Sequence, residues 1–209
     1  MTHSTGLRLA APRALDFKRM NKIGTSRSFY YLFGTPFGPV AVLWSVHRGQ
    51  PKIRQVLLSK PGIPAKHAAK TYFPDSTPSS CAEIDGVANK ILAFLRGDDI
   101  RFSLNIIRLD TCSTFQQEVL RAEHGIPRGS VSTYQRIAKH LGNVDAARAV
   151  GGALANNPFP IIIPCHRAIR SDGTLGGYQG GLGMKRTLLK MEGVFFDALG
   201  HILADKFFY

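Results

Sequence analysis

A cysteine, a histidine and an arginine stand side by side at Cys165, His166 and Arg167, delivered by the apolar run Ile161-Ile162-Ile163 and a helix-breaking Pro164. The chemistry such a group offers is nucleophilic. A thiolate attacks carbon, an imidazole can take the thiol proton, and a guanidinium can hold an anion. A free thiol with a pKa of about 8.5 is only slightly ionised at neutral pH, so its surroundings must favour the anion or remove the proton. Direct transfer from Cys165 to His166 is awkward, because successive residues of an extended segment point to opposite faces. The competing reading is an inert cysteine buried at a strand end. His166 and Arg167 weigh against it, since charged groups are rarely fully buried unless paired.

The flanks of this run carry further motifs. Asn157-Pro158 and Pro160-Ile161 precede it, and Gly176-Gly177-Tyr178 and Gly180-Gly181 follow it. Upstream stand Phe115-Gln116-Gln117, Tyr134-Gln135-Arg136-Ile137-Ala138 and Arg148-Ala149-Val150-Gly151-Gly152-Ala153. Together with Ile163-Pro164-Cys165-His166-Arg167, these resemble the active-site segment of the O6-alkylguanine-DNA alkyltransferases, also called methylated-DNA–protein-cysteine methyltransferases. The resemblance covers residues 114 to 193, and the N-terminal half matches only in general layout.

The resemblance implies DNA repair in a single turnover, with Cys165 taking the alkyl group from O6-alkylguanine, or from O4-alkylthymine. His166 would act on the thiol through a water and be oriented by Glu192, while Asn157 braces the turn. Tyr134 would crowd the target phosphate and offer its phenol proton to the guanine. Arg148 would fill the gap left by the everted nucleotide, on a helix that brings Ala147 and Gly151 into the minor groove, with Arg167 also at the DNA. Ala168, Tyr178 and Gln179 would line the base pocket. Ala168 departs from the larger aliphatic residue usual in the family, which thins the pocket wall and keeps the backbone carbonyl expected to meet the guanine amino group. Extrusion of the base is required in any case, because an enzyme acting on a stacked base must first unstack it, at about a few kcal/mol. A dialkyl thioether is not hydrolysed by ordinary neighbouring groups, so each molecule would work once. No cofactor is implied, since the lesion supplies the alkyl group.

Two other classes remain open on the residues alone. A lesion-binding protein would flip the alkylated base without accepting its alkyl group, but such relatives typically replace the nucleophile with tryptophan, and Cys165 is present. A cysteine hydrolase would need a base facing the thiol and an oxyanion site, and only the adjacent Cys165 and His166 point that way.

The elements that must hold these residues are legible in the patterning. Runs at residues 29–33, 40–46 and 53–58, separated by Pro- and Gly-bearing turns, predict an antiparallel meander with Trp44 on its inner face as core. Residues 60–80, rich in Pro, Ser and Lys, read as a surface loop. Ile84, Val87, Ala88, Ile91, Leu92 and Leu95 recur at helical spacing and stop before Gly97. Ser113 and Gln116 form a capping-box pattern for a helix to about Glu123. Ser132 or Thr133 can cap a helix from Tyr134 to Leu141, and Asp145 another through Ala155. This pair outlines a helix-turn-helix, an outline shared by many hairpins that bind nothing. The small side chains of the second helix suit close approach to DNA or tight packing on another helix.

The predicted fold class is α/β. It comprises a basic arm at 1–27, an N-terminal α/β domain at 28–109 and a C-terminal DNA-binding domain at 110–195. An aromatic tail at 196–209 is expected to pack on the body. The resemblance implies an RNase H-like N-terminal sheet with helical cover and a mainly helical, winged-helix-like C-terminal part.

The net charge of +13, from 27 Lys and Arg against 14 Asp and Glu, favours a polyanionic partner such as nucleic acid. Here the expected partner is double-stranded DNA carrying alkylated guanine, met by a monomer. Three cysteines are an odd number in a chain too large to need disulfide staples, which predicts an intracellular, reducing compartment, the cytoplasm or the nucleus or nucleoid. None of them has metal-site spacing, so no metal is expected. No apolar stretch reaches the roughly 18 residues of a membrane span, so no membrane partner is expected.

Overall fold

The computed structural model describes residues 27–60, 62–203 and 207–209. The basic arm, apart from Arg27, lies outside the described residues. Strands β1 (Ser28–Phe33), β2 (Val40–His47) and β3 (Gln50–Leu58) form the expected antiparallel meander, with Phe29 opposite Trp44 and Trp44 opposite Ile53. Strand β3 starts three residues earlier than the pattern suggests. Pro51 is tolerated there because β3 is an edge strand, where a missing N–H leaves no gap in the ladder. The tight β2–β3 turn places Arg48 and Gly49 at φ +49° and +77°, the conformation of a two-residue hairpin loop.

The sheet is covered on both faces. Residues 60–80 are not simply a surface loop: they contain helix α1 (Ala65–Tyr72) and strand β4 (Thr77–Pro78), which runs parallel to β1 and completes the order β3-β2-β1-β4. Ala65, Ala68 and Ala69 pack on Ala41, Leu43 and Leu57. Three alanines at helical spacing lie flat on a sheet without a large hydrophobic signal, and Pro64 offers no side-chain cap. These two properties hide the helix in the sequence. Helix α2 (Ala82–Leu95) covers the opposite face with Ile84, Ile91 and Leu95, and Gly97 follows at φ +109°. Trp44 is fully buried there, stacked on Phe29 at 4.6 Å with its indole N–H donated to the Ser79 carbonyl.

The C-terminal half is built on α3 (Thr114–Gly125), α4 (Tyr134–His140), α5 (Ala147–Ala155) and α6 (Gly181–Met191). Short strands β5 (Ser132–Thr133) and β6 (Ala168–Ile169) pair in parallel, and β7 (Phe195–Phe196) and β8 (Ile202–Leu203) form a hairpin.

Ser113 accepts the Gln116 amide at 3.3 Å, but the capping box is not reciprocal. The Gln116 side chain donates instead to the carbonyls of Ala153 and Asn156, tying α3 to the end of α5. Thr133 caps α4 through the Arg136 amide. Asp145 does not cap α5: Ala146 holds that position without a side-chain bond.

The tail packs on the body as expected. Phe208 bonds the Val131 carbonyl through its amide, and the Tyr209 phenol donates to Ala122 and stacks on His140. One apolar cluster runs from the sheet through α3 to Cys165 and α6, so the two halves share a core.

Candidate active site

The turn that carries the thiol is fixed from both ends. After α5, the Asn157 side chain accepts the Phe159 amide at 2.9 Å and donates to the Ile163 carbonyl at 3.1 Å. Between these bonds Ile161 sits at φ +75°, a conformation that costs a β-branched residue about 1–2 kcal/mol and persists only where its surroundings impose it. Pro164 then leads into a single 3-10 turn, Cys165–Arg167. Cys165 is only 6% exposed. Burial pushes its thiol up to about 12; Asn157 and Lys185 oppose that shift, while Glu123 adds to it.

His166, Arg167 and Glu192 form one buried network. Glu192 closes the C-terminal end of α6, and its Oε1 meets His166 Nε2 at 2.9 Å and Arg167 NH2 at 2.8 Å, while Arg167 Nε reaches Oε2 at 2.9 Å. Burial alone would raise Glu192, but His166 and Arg167 override it and hold the carboxyl at about 2. Burial lowers His166, against the pull of Glu192, which keeps it neutral at physiological pH. An ionised Glu192 can only accept, so Nε2 carries the proton and Nδ1 carries the lone pair. Nδ1 is buried and has no hydrogen-bond partner among the described residues. A base with one free, unprotonated nitrogen therefore lies beside the thiol in the chain.

Tyr134 starts α4 between two glycines. A β-carbon on Gly176 would fall 2.6 Å from its phenol oxygen, and one on Gly151 would lie 3.9 Å from its ring. Burial raises the phenol, with Glu123 and Cys165 adding to the effect, so it stays protonated. Tyr178 packs edge-on to His166 with ring centroids 6.1 Å apart. Arg148 is exposed in the first turn of α5, next to the partly exposed Ala147 and one turn before Gly151. Ala168 is fully buried, and its carbonyl accepts the Lys185 ammonium at 2.7 Å, leaving a second lone pair. A separate cavity of about 500 Å³, lined by Pro164, Arg167, Arg128, His124 and Phe102 among others, does not reach Cys165, Tyr134 or Tyr178.

Comparison with known proteins decides among the classes left open by the residues. Residues 114–194 match the family described as 6-O-methylguanine DNA methyltransferase, DNA binding domain. A methylated-DNA–protein-cysteine methyltransferase from Methanothermobacter thermautotrophicus is 45% identical over 125 residues, covering 60% of this chain and 69% of the relative. A Salmonella typhimurium protein of the same name is 41% identical over 176 residues, covering 76% and 92%. The chain belongs to the methylated-DNA–protein-cysteine methyltransferases. The crystal structure of Mycobacterium tuberculosis OGT in complex with DNA superposes with a TM-score of 0.62 at 32% identity, over 78% of this chain and 92% of that one.

Within the methyltransferase fold, the structure brings together Cys165, His166, Glu192, Asn157, Tyr134, Ala168 and Tyr178. It places two expected residues differently. Arg167, expected at the DNA, is turned inward: its guanidinium is used by Glu192 and by the Ile126 carbonyl at 2.6 Å. Gln179, expected in the base pocket, donates its amide to the carbonyls of Ala155 and Asn157 and so pins the following loop to the active-site turn. Two residues of the site escape sequence reasoning. Lys185 is fully buried and bonds the carbonyls of Ala168, Leu175 and Gly177. Glu123 lies on the buried face of α3. Their signal is a charged residue on the apolar stripe of a helix, where a lysine or glutamate at a helix edge reads as solvated.

Proposed function

We propose that Cys165 is the terminal acceptor of an alkyl group taken from O6 of guanine, or O4 of thymine, in double-stranded DNA. DNA repair by transfer of an alkyl group to a protein cysteine is the reaction of the family, and this chain performs it. The observation that carries the assignment of Cys165 is its place in a turn locked by Asn157, adjoining a neutral histidine oriented by Glu192. Cys81 and Cys112 are also raised by burial, so the elevation of a thiol does not single out Cys165, and the geometry of its turn does.

In this reading the thiol proton leaves to Nδ1 of His166 through an intervening water. Sulfur forms its bond to the alkyl carbon as the carbon–O6 bond breaks, and the electron pair passes to the guanine. Tyr134, protonated at physiological pH, gives the ring its proton and recovers one from the proton released by the thiol. The products are S-alkylcysteine and unmodified guanine, and nothing regenerates the thiol.

Access to the base is assigned to α5. Its small residues Ala147 and Gly151 permit close approach to the minor groove, and exposed Arg148 would take the place of the flipped nucleotide, stacking through its planar face. The reaction consumes no cofactor and one chain suffices. The sheet order β3-β2-β1-β4 supports an RNase H-like reading of residues 28–109, and the α4–α5 pair beside β5 and β6 supports a winged-helix-like reading of residues 110–195.

The test is incubation with duplex DNA carrying a labelled O6-methylguanine. Label should move to protein to a limit of one per chain and fail to move in Cys165→Ala. Tight binding without transfer would instead identify a lesion-binding protein, and repeated turnover a hydrolase.

A further inference from the structure

Glu123 takes no part in the reaction as derived, yet no part of it reaches solvent. It stands on α3 among buried Val119, Leu120 and Ala122, a position that packing alone would fill with an aliphatic side chain. Neither carboxyl oxygen has a side-chain hydrogen-bond partner among the described residues, and the backbone donor that acts on it is the Ala168 amide. An unpaired buried carboxylate is costly, so the group takes up a proton unless nearby charge compensates it.

Its surroundings are the acceptor site itself. Helix α3 packs against the Cys165–Arg167 turn. Lys185 from α6, Arg167 from the turn and the Ala168 amide from β6 act on the carboxyl, and the carboxyl acts in return on the Cys165 thiol and on the phenols of Tyr134 and Tyr209. Charge in this cluster is easily counted. Arg167 is cancelled by Glu192, and His166 is neutral. That leaves the Lys185 ammonium, held by the carbonyls of Ala168, Leu175 and Gly177, as the positive charge that favours a thiolate at Cys165.

We propose that Glu123 is a positioning residue for alkyl transfer: protonated, it leaves the Lys185 ammonium free to favour the Cys165 thiolate, and ionised, it cancels that charge. The inference rests on Cys165 being the acceptor. Burial pushes Glu123 up to about 8, and burial also lowers Lys185 to about 8, with Arg170 acting in the same direction. The two groups titrate as a coupled pair, and the first proton lost from the pair removes its net positive charge. Glutamine mimics the protonated acid at all pH values. Removing the ionisable carboxyl can therefore only extend the positive charge to higher pH.

The test is single-turnover alkyl transfer from free O6-benzylguanine to the full chain, wild type against Glu123→Gln, between pH 6.5 and 9. The ratio of variant to wild-type rate should rise roughly three- to tenfold across that range, equivalent to a thiol shift of about half to one unit. A flat ratio, with transfer to Cys165 intact in both proteins, overturns the inference and leaves the proposed function standing. Absence of transfer to wild type at any pH overturns both.

Glu123→Leu gives a second readout that does not depend on the rate. A carboxyl raised from 4.5 to about 8 in the fold contributes stability that is present below its unfolded pKa and lost as pH rises towards 8. The melting temperature of the wild type should therefore fall relative to Glu123→Leu between pH 5 and 8. A constant difference also overturns the inference.

Discussion

At the scale of single residues, the site separates a proton acceptor from the charges that hold it. Glu192 serves both parts, fixing the tautomer of His166 and neutralising Arg167 with the same carboxyl. Replacing it by glutamine leaves Arg167 buried without a counter-charge, a defect of about 3–5 kcal/mol. Glu192→Gln should therefore lower the melting temperature at neutral pH by roughly 6–20 °C and slow alkyl transfer. The pH dependence has a definite sign. A carboxyl held at about 2 in the fold, against 4.5 when free, contributes stability that is present above pH 4.5 and lost as pH falls towards 2. The gap between wild type and Glu192→Gln in thermal melts should narrow over that window, and a gap that stays constant would remove Glu192 from the ion pair. The thiol, its imidazole and Asn157 were legible because their types and spacing are chemically unusual. The inward turn of Arg167 was not, because Glu192 lies 25 residues away and only the fold brings them together.

At the scale of elements, the long-period patterns read correctly and the short or small-residue ones did not. The meander and α2 bury large aliphatic side chains at regular spacing, and that regularity is written in the sequence. Helix α1 packs on alanine and does not announce itself, whereas α5 ends at Ala155 as its pattern predicts and starts one residue late because Ala146, without a capping side chain, takes the place expected of Asp145. The end of α5 is held instead by carboxamides from distant elements, Gln116 and Gln179. This bracing fixes the C-terminal end of α5, the helix that carries Arg148 in its first turn. Arg148→Ala should then reduce repair of duplex DNA by at least roughly tenfold while changing the rate with free O6-benzylguanine less than about twofold. Parallel rate measurements on the two substrates check this, and equal losses on both would contradict the assignment of the helix.

At the scale of the whole molecule, the net charge is +13, and among the described residues the only buried Lys or Arg side chains are Arg167 and Lys185. Among the described residues no helix is long and apolar enough to cross a membrane, and no three His, Cys, Asp or Glu side chains converge to hold a metal. Phosphate contacts release condensed counterions, so affinity for undamaged duplex should fall by about an order of magnitude or more between about 50 and 200 mM salt. A fluorescence anisotropy titration reads this directly, and salt-independent binding would contradict a phosphate-tracking surface. The continuous core that joins the sheet, α3 and the active-site turn places the chemistry at the centre of the fold. The reacting atom is the sulfur of Cys165. After exposure to duplex DNA carrying O6-methylguanine, peptide mass spectrometry should find one methyl group per chain, on the sulfur of Cys165; an unmodified Cys165 with the lesion gone, or methyl on Cys81 or Cys112, would contradict it.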